Sequence, residues 1–352
     1  MSSTNLIIYN LETDKNSVVL SHTHDWIKSF ALQIENVEVY STHLGSTDLP
    51  SNVTLRETGG GTFNSRIKAI LILFVSFLKI INNRKNTIVF HHMSPRTAVF
   101  PGLFFRLFAV KQALWYSHKS KPISLLLGSI IVNNVVSSIE GTIPISKAKN
   151  RYLGHGIDVS NAKKILDKAS DNRSELVFLG RISPVKNLEK ILDGIACSTN
   201  PKIKLTFAGP TVKDSDYSNL LTKRAKALNL NLRIIDPITH SGALEFLSGF
   251  SYFYSGMENS VDKSSLEAAS VGCLILTTDK ATLELTGMAS FWNLQNTSAP
   301  KSVSEQIDYF ESLKDDEISN VRTIIHKFVI ESSDIKNTTT KILQILTNGN
   351  KK

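Results

Sequence analysis

Cysteine is nearly absent from this sequence: Cys197 and Cys273 are the only two in 352 residues. They stand far apart in apolar surroundings, which excludes a disulfide framework or a cysteine-ligated metal site and suits a reducing compartment. The opening residues, Met1-Ser2-Ser3-Thr4-Asn5-Leu6, lack the basic-then-apolar layout of a secretory leader, so the expectation is cytoplasmic. No apolar run reaches the ~20 residues that a membrane-spanning helix needs. The most apolar run, residues 67–81, includes Lys68 and Lys79. There is no Cys/His finger, aromatic RNA-binding strand or basic heptad region, so no nucleic acid is expected as a partner. Low-complexity tracts and short-period repeats are absent too, and with 41% hydrophobic residues the chain has enough apolar side chains for a packed core.

What is present is a basic excess and an alternating pattern. Forty Lys and Arg against 31 Asp and Glu leave a formal charge of +9, which favours an anionic partner such as a nucleotide or an acidic membrane surface. Arg66 and Lys68 lie at one end of the apolar run 67–81 and Arg84 and Lys85 beyond the other, and a second apolar stretch follows at residues 100–108. Each segment has two readings, a buried core helix or a peripheral contact with an anionic membrane.

Short apolar runs at residues 6–9, 37–40, 87–91, 113–118 and 129–133 read as buried strands, with helical patterns at 18–34, 65–81 and 97–108 between them. The pattern breaks at 157–173, a polar stretch read as a linker. It then restarts with strands at 175–180, 203–209, 232–236, 252–255 and 273–277 and helices at 186–196, 215–229, 242–248 and 264–271. Two helices fill residues 315–346. This is an α/β chain with two Rossmann-like domains, expected at 1–165 and 166–330 and joined by parallel-sheet logic. The remaining residues, 331–352, form a C-terminal helix expected to pack back towards the first domain. Two such domains facing each other make a cleft at the carboxyl ends of their strands, where open α/β sheets bind ligands.

Two clusters sit at such strand ends. In Leu179-Gly180-Arg181-Ile182-Ser183-Pro184-Val185-Lys186 a strand stops at Gly180, two cations flank the turn, and Ser183 and Pro184 suit the start of a helix. Cations beside a helix N-terminus favour an anion, and a diphosphate matches their spacing. Either cation alone is equally consistent with a solvated surface position. The second cluster runs from Ser255 to Gly272, with Glu258, Asn259, Ser260, Asp262 and Lys263 in a loop and Glu267 in the following helix among Leu266, Ala268 and Ala269. A carboxylate there can accept hydrogen bonds from vicinal ribose hydroxyls, although a helix-surface acid is the simpler alternative.

Together these motifs resemble the retaining GT-B glycosyltransferases of family 4. Gly180 to Lys186 is similar to that family's "GR-x-S-P-x-K" segment, and Leu266-Glu267-Ala268-Ala269-Ser270-Val271-Gly272 to its "LEAMACG" helix. Phe207-Ala208-Gly209-Pro210 resembles the strand end beneath the nucleoside, and Leu153-Gly154-His155-Gly156-Ile157-Asp158 the entry to the second domain. Trp115-Tyr116-Ser117-His118 matches a "W-Y-x-H" strand end. The resemblance implies retaining transfer of a hexose-type unit from a nucleoside-diphosphate sugar, the co-substrate, to a hydroxyl of a glycan, a lipid-linked or a small acceptor. No obligatory metal or cofactor is implied. Arg181 and Lys186 would hold the diphosphate, Glu267 the ribose, and His118 the sugar, with Gly180, Gly209 and the loop 258–263 completing the donor site. Two positions depart from the family. Its acidic pair, Glu-x7-Glu, places Asn259 where the first Glu belongs, with Glu258 one residue early. Residues 14–26 also carry no glycine where relatives have a Gly-rich turn. These departures leave a second reading, a degenerate relative that binds a nucleotide, glycan or membrane without turnover.

His22, His24, His91 and His92 come in close pairs but are expected as packed histidines rather than metal ligands. Arg56-Glu57-Thr58-Gly59-Gly60-Gly61 lacks the Gly-Lys-Ser/Thr ending of a phosphate loop and reads as a connection.

Overall fold

The computed structural model describes residues 4–17, 20–59, 83–145, 148–166, 174–211, 216–258, 260–295 and 300–348. They fall into two compact units, Met1–Gly156 with Ile335–Lys352, and Ile157–Asp334. The apolar run 67–81 lies outside the described residues. No helix among the described residues is long and apolar enough to cross a membrane.

The first unit is built on a seven-stranded sheet. Its strands are β1 (Asn5–Thr13), β2 (Asn36–Leu44), β3 (Val53–Glu57), β4 (Thr87–His92), β5 (Lys111–Trp115), β6 (Asn134–Ser137) and β7 (Asn150–Tyr152), in the order β3-β2-β1-β4-β5-β6-β7. All neighbours pair in parallel. Both faces are therefore covered, and β4 is buried along its whole length. Helix His22–Ala31 and the last helix, Ile335–Asn348, pack one face, where Trp26, Phe30, Phe90, Trp115, Ile342 and Leu346 share a core. The apolar run 129–133, read above as a strand, instead spans the end of helix Ile123–Ile131, and the strand begins at Asn134. Three apolar residues between Ser129 and Asn133 are too few to show a period that separates the two states.

The paired histidines are packed in this unit. His24 Nε2 lies 2.9 Å from Asp48 Oδ1, and the His92 ring lies 5.2 Å from Trp26. His91 is fully buried, stacked on Tyr9, with Nδ1 2.9 Å from Thr97 Oγ1 and Nε2 3.2 Å from Gln112 Oε1. Burial outweighs the Gln112 hydrogen bond and lowers its pKa to about 4. The unfolded ring, near its ordinary 6.5, takes up a proton that the folded ring refuses. Stability is therefore expected to fall as pH drops from about 6.5 towards 4, by roughly 2 kcal/mol between pH 7 and 5. Urea midpoints across that range should drop in the native protein and drop measurably less in His91→Gln. Parallel slopes would show that His91 does not stay neutral.

The second unit carries five strands, β8 (Glu175–Leu179), β9 (Lys204–Ala208), β10 (Leu232–Ile235), β11 (Tyr252–Tyr254) and β12 (Leu274–Leu276), in the order β10-β9-β8-β11-β12, all parallel. Phe178, Phe207, Tyr252 and Phe253 lie within this buried sheet. Helices Leu188–Ala196, Lys263–Ser270 and Asp315–Ser333 bury their apolar faces, and the last two pack together. In each unit the strand order reverses once, between β1 and β4 and between β8 and β11. Such a reversal opens a crevice at the carboxyl ends of the two central strands.

Candidate functional site

In the second unit that crevice is bounded by the two loops that the sequence singles out, one after β8 and one after β11. Gly180 and Gly209 end β8 and β9 with φ of +151° and +147°, and the Gly180 N–H donates to Ala208 O at 2.9 Å. A Cβ on Gly209 would overlap the Gly180 carbonyl. Glycine is thus required where the two strand ends close up beneath the crevice.

Ser183 precedes a single 3-10 turn, Pro184–Lys186, and the α-helix itself starts at Leu188. Asn187, in the left-handed conformation (φ 48°, ψ 44°), makes the corner between turn and helix. Its Nδ2 donates to Gly256 O at 2.8 Å and its carbonyl accepts from Tyr254 Oη at 2.9 Å. Burial raises the Tyr254 phenol pKa, so it stays protonated as that donor. Gly256 has no room for a Cβ between Lys186 O and Tyr254 Oη. Two side-chain-to-carbonyl hydrogen bonds thereby tie the two segments together across the switch point.

The charged side chains follow this frame. Lys186 Nζ is paired with Asp262 Oδ1 and lies 3.1 Å from Met257 Sδ, with both charged groups mostly buried. Arg181 is exposed and pairs with no carboxylate among the described residues. Lys190 takes Glu258 at 2.8 Å on the surface, so Glu258 is turned to the helix Leu188–Ala196. Ser260 is half-buried, and Asn259 lies outside the described residues. Asp262 is the N-cap of helix Lys263–Ser270, yet its side chain makes no capping bond, because it is spent on Lys186. Ser264 Oγ instead reaches back to Leu179 O at 2.7 Å, pinning the helix start to the end of β8.

Glu267, 7% exposed, lies on the same helix with Oε1 4.0 Å from Lys263 Nζ and 3.9 Å from His240 Nδ1. No hydrogen bond to its carboxylate is made by a described residue. Lys263 Nζ and the hydroxyls of Ser183 and Ser255 are likewise buried without a hydrogen-bond partner among the described residues. Unsatisfied buried polar groups are costly, and three of them beside Glu267 make this end of the sheet suited to a polar ligand. The second unit thus brings Gly180, Gly209, Arg181, Lys186, Asp262, Lys263 and Glu267 to one end of one sheet.

His118 belongs to the first unit. It stands three residues past β5, exposed, so the strand read as 113–118 ends at Trp115. The Ser120 N–H donates to His118 Nδ1 at 3.0 Å and Ser120 Oγ lies 2.8 Å from the same atom. The neutral ring therefore carries its proton on Nε2, which it presents as a donor. Tyr116 Oη, 2.8 Å from Ser120 Oγ, holds the turn.

Sequence reasoning missed Asn187, Gly256, Tyr254 and His240. Their positions depend on which strands are neighbours, and only His240 carries a side chain type that draws attention on its own.

No family profile matches this chain, and no curated protein sequence matches it. Solved structures do. A glycosyltransferase from Rickettsia africae superposes with a TM-score of 0.71 at 13% identity, covering 99% of each chain. HepE of Anabaena, in complex with UDP, gives 0.70 at 10% identity over 98% of this chain and 100% of that one. Sucrose-phosphate synthase of Thermosynechococcus elongatus gives 0.66 at 11% identity over 98% of each. The chain has the α/β fold with two parallel-sheet units found in GT-B glycosyltransferase structures.

Proposed function

We propose that the chain is a glycosyltransferase that moves a hexose-type sugar from a nucleoside-diphosphate donor to a hydroxyl acceptor with retention of configuration. The observation that carries the proposal is the convergence of Arg181, Lys186 and Glu267 on the β8/β11 switch point, two cations and a buried carboxylate at the mouth of a crevice with unsatisfied polar groups. HepE is seen with UDP, with UDP and glucose, and with UDP-glucose, which makes a uridine donor the first to test.

Charge that develops on the leaving diphosphate is stabilised by Arg181, Lys186 and the N–H groups at the start of helix Lys263–Ser270. Lys186 is held by Asp262 until a more highly charged anion competes for it. Glu267 takes the ribose hydroxyls. His118 is assigned to the transferred sugar, and the leaving phosphate takes the acceptor proton. Asn259 and Ser260 are assigned to the donor loop with Asp262 and Lys263. The acceptor class is a glycan, a lipid-linked or a small hydroxyl compound.

Incubation with UDP-, ADP- and GDP-sugars, read by thermal shift and by release of nucleoside diphosphate, tests this. One donor should raise Tm, following RT ln(1 + [L]/Kd), and be turned over. Stabilisation without release would point to a protein that only binds its nucleotide, and no stabilisation by any nucleotide would remove the donor site.

A further inference from the structure

We propose that helices Pro95–Leu107 and Ile123–Ile131 of the first unit form a face that docks on an anionic lipid bilayer. The proposal is independent of the transfer reading, since neither helix carries a residue assigned to donor or sugar.

Both helices are amphipathic the wrong way round for a water-soluble surface. On Pro95–Leu107 the exposed stripe is Phe100, Leu103, Phe104 and Leu107, at i, i+3, i+4 and i+7, with exposures from 44 to 71%. On Ile123–Ile131 the same spacing gives Ile123, Leu126, Leu127 and Ile130, from 42 to 77%. Their inward positions are mostly small: Ala98, Gly102, Gly128 and Ser129 are buried. The two helices pack against each other there, and a Cβ on Gly128 would come within 3.1 Å of Ala98 Cβ. Small residues allow the close approach and large apolar ones are left outside. One exposed leucine is ordinary, but two adjacent stripes make a patch of the kind that a partner covers.

Charge identifies the partner. Residues 58–139 hold ten Lys and Arg and no Asp or Glu, and the rest of the chain has 40 − 10 = 30 cations against 31 acids. The whole basic excess therefore lies in the stretch that carries both apolar faces. Arg96, Arg106, Lys119 and Lys121 are exposed within or beside the two helices. Exposed apolar side chains with cations within and beside the same helices suit the acyl–headgroup boundary of an acidic leaflet. A second copy of the chain fits worse, because a two-fold interface would set these cations against their own copies.

Sedimentation with vesicles of half phosphatidylglycerol and half phosphatidylcholine tests the proposal. Binding is expected at low salt and should weaken by about tenfold or more as screening rises. A variant with Leu103, Leu107, Leu127 and Ile130 all replaced by Gln should lose at least ~100-fold in partition, while Arg96→Gln with Arg106→Gln should lose about tenfold. A second measurement avoids any folding defect. The three native tryptophans, Trp26, Trp115 and Trp292, are buried, so Phe104→Trp places one exposed indole on the face, and its emission should shift to the blue on acidic vesicles. No binding at low salt, equal binding to neutral vesicles, an unshifted emission from the Phe104→Trp variant, or dimerisation abolished by the Gln substitutions would each overturn the proposal.

Discussion

Lys186→Met is expected to slow glycosyl transfer by at least ~10²-fold, the scale on which one donor to a developing charge acts. Arg181→Met should do the same from the exposed side of the crevice. The two are not equivalent in the resting protein. Arg181 has no carboxylate among the described residues, whereas Lys186 is already paired with Asp262 in a largely buried position. Removing Lys186 therefore deletes a cation and also leaves Asp262 as an uncompensated acid beside the diphosphate site. Asp262→Asn in the Lys186→Met background should restore part of the lost rate by lifting that repulsion. No partial recovery is expected for the same change in the Arg181→Met background. Rates are read as kcat/KM with the donor that the screen identifies. Near-native values for both single variants would remove the phosphate role from the β8/β11 crevice.

The site was legible from the sequence where its chemistry is local. A strand that ends in Gly180-Arg181 and turns through Pro184 to Lys186 carries its meaning in consecutive residues, and so does a helix that buries Glu267 among alanines. What was not legible depends on strand order. Gly180 faces Gly209 because β8 and β9 are neighbours, and Tyr254 reaches Asn187 because β11 lies on the other side of β8. The Lys186–Asp262 pair closes a separation of 76 residues, and no local pattern announces it. Periodicity failed in two different ways in the first unit. At 129–133 only three apolar residues stand between Ser129 and Asn133, too few to show a period, so a helix end looked like a strand. For the apolar stretch 100–108 it left two readings, a buried core helix or a membrane contact, and in helix Pro95–Leu107 the side chains of Phe100, Leu103, Phe104 and Leu107 are exposed. Hydrophobic spacing locates a face, and only packing decides what covers it.

Glu267→Gln is expected to weaken UDP by about 10- to 100-fold, the loss of a charge-assisted hydrogen bond worth roughly 1.5–3 kcal/mol. The amide keeps the shape and one acceptor but turns an N–H₂ towards hydroxyls that also need to donate. A purely electrostatic account of Glu267 predicts the opposite sign. The carboxylate lies 4.0 Å from Lys263 Nζ, so neutralising it leaves that ammonium uncompensated and makes the crevice more attractive to anions. Pyrophosphate separates the two accounts because it has the charges of the donor and no ribose. If Glu267 binds ribose, calorimetry will show the Gln variant holding pyrophosphate at least as tightly as the native protein while UDP weakens. The 2′-deoxy form of UDP should then lose affinity for the native protein and change little between native and variant, since the hydroxyl and the carboxylate report one interaction. UDP and pyrophosphate changing together would make Glu267 a charge-balancing residue of the helix Lys263–Ser270 and move ribose recognition elsewhere.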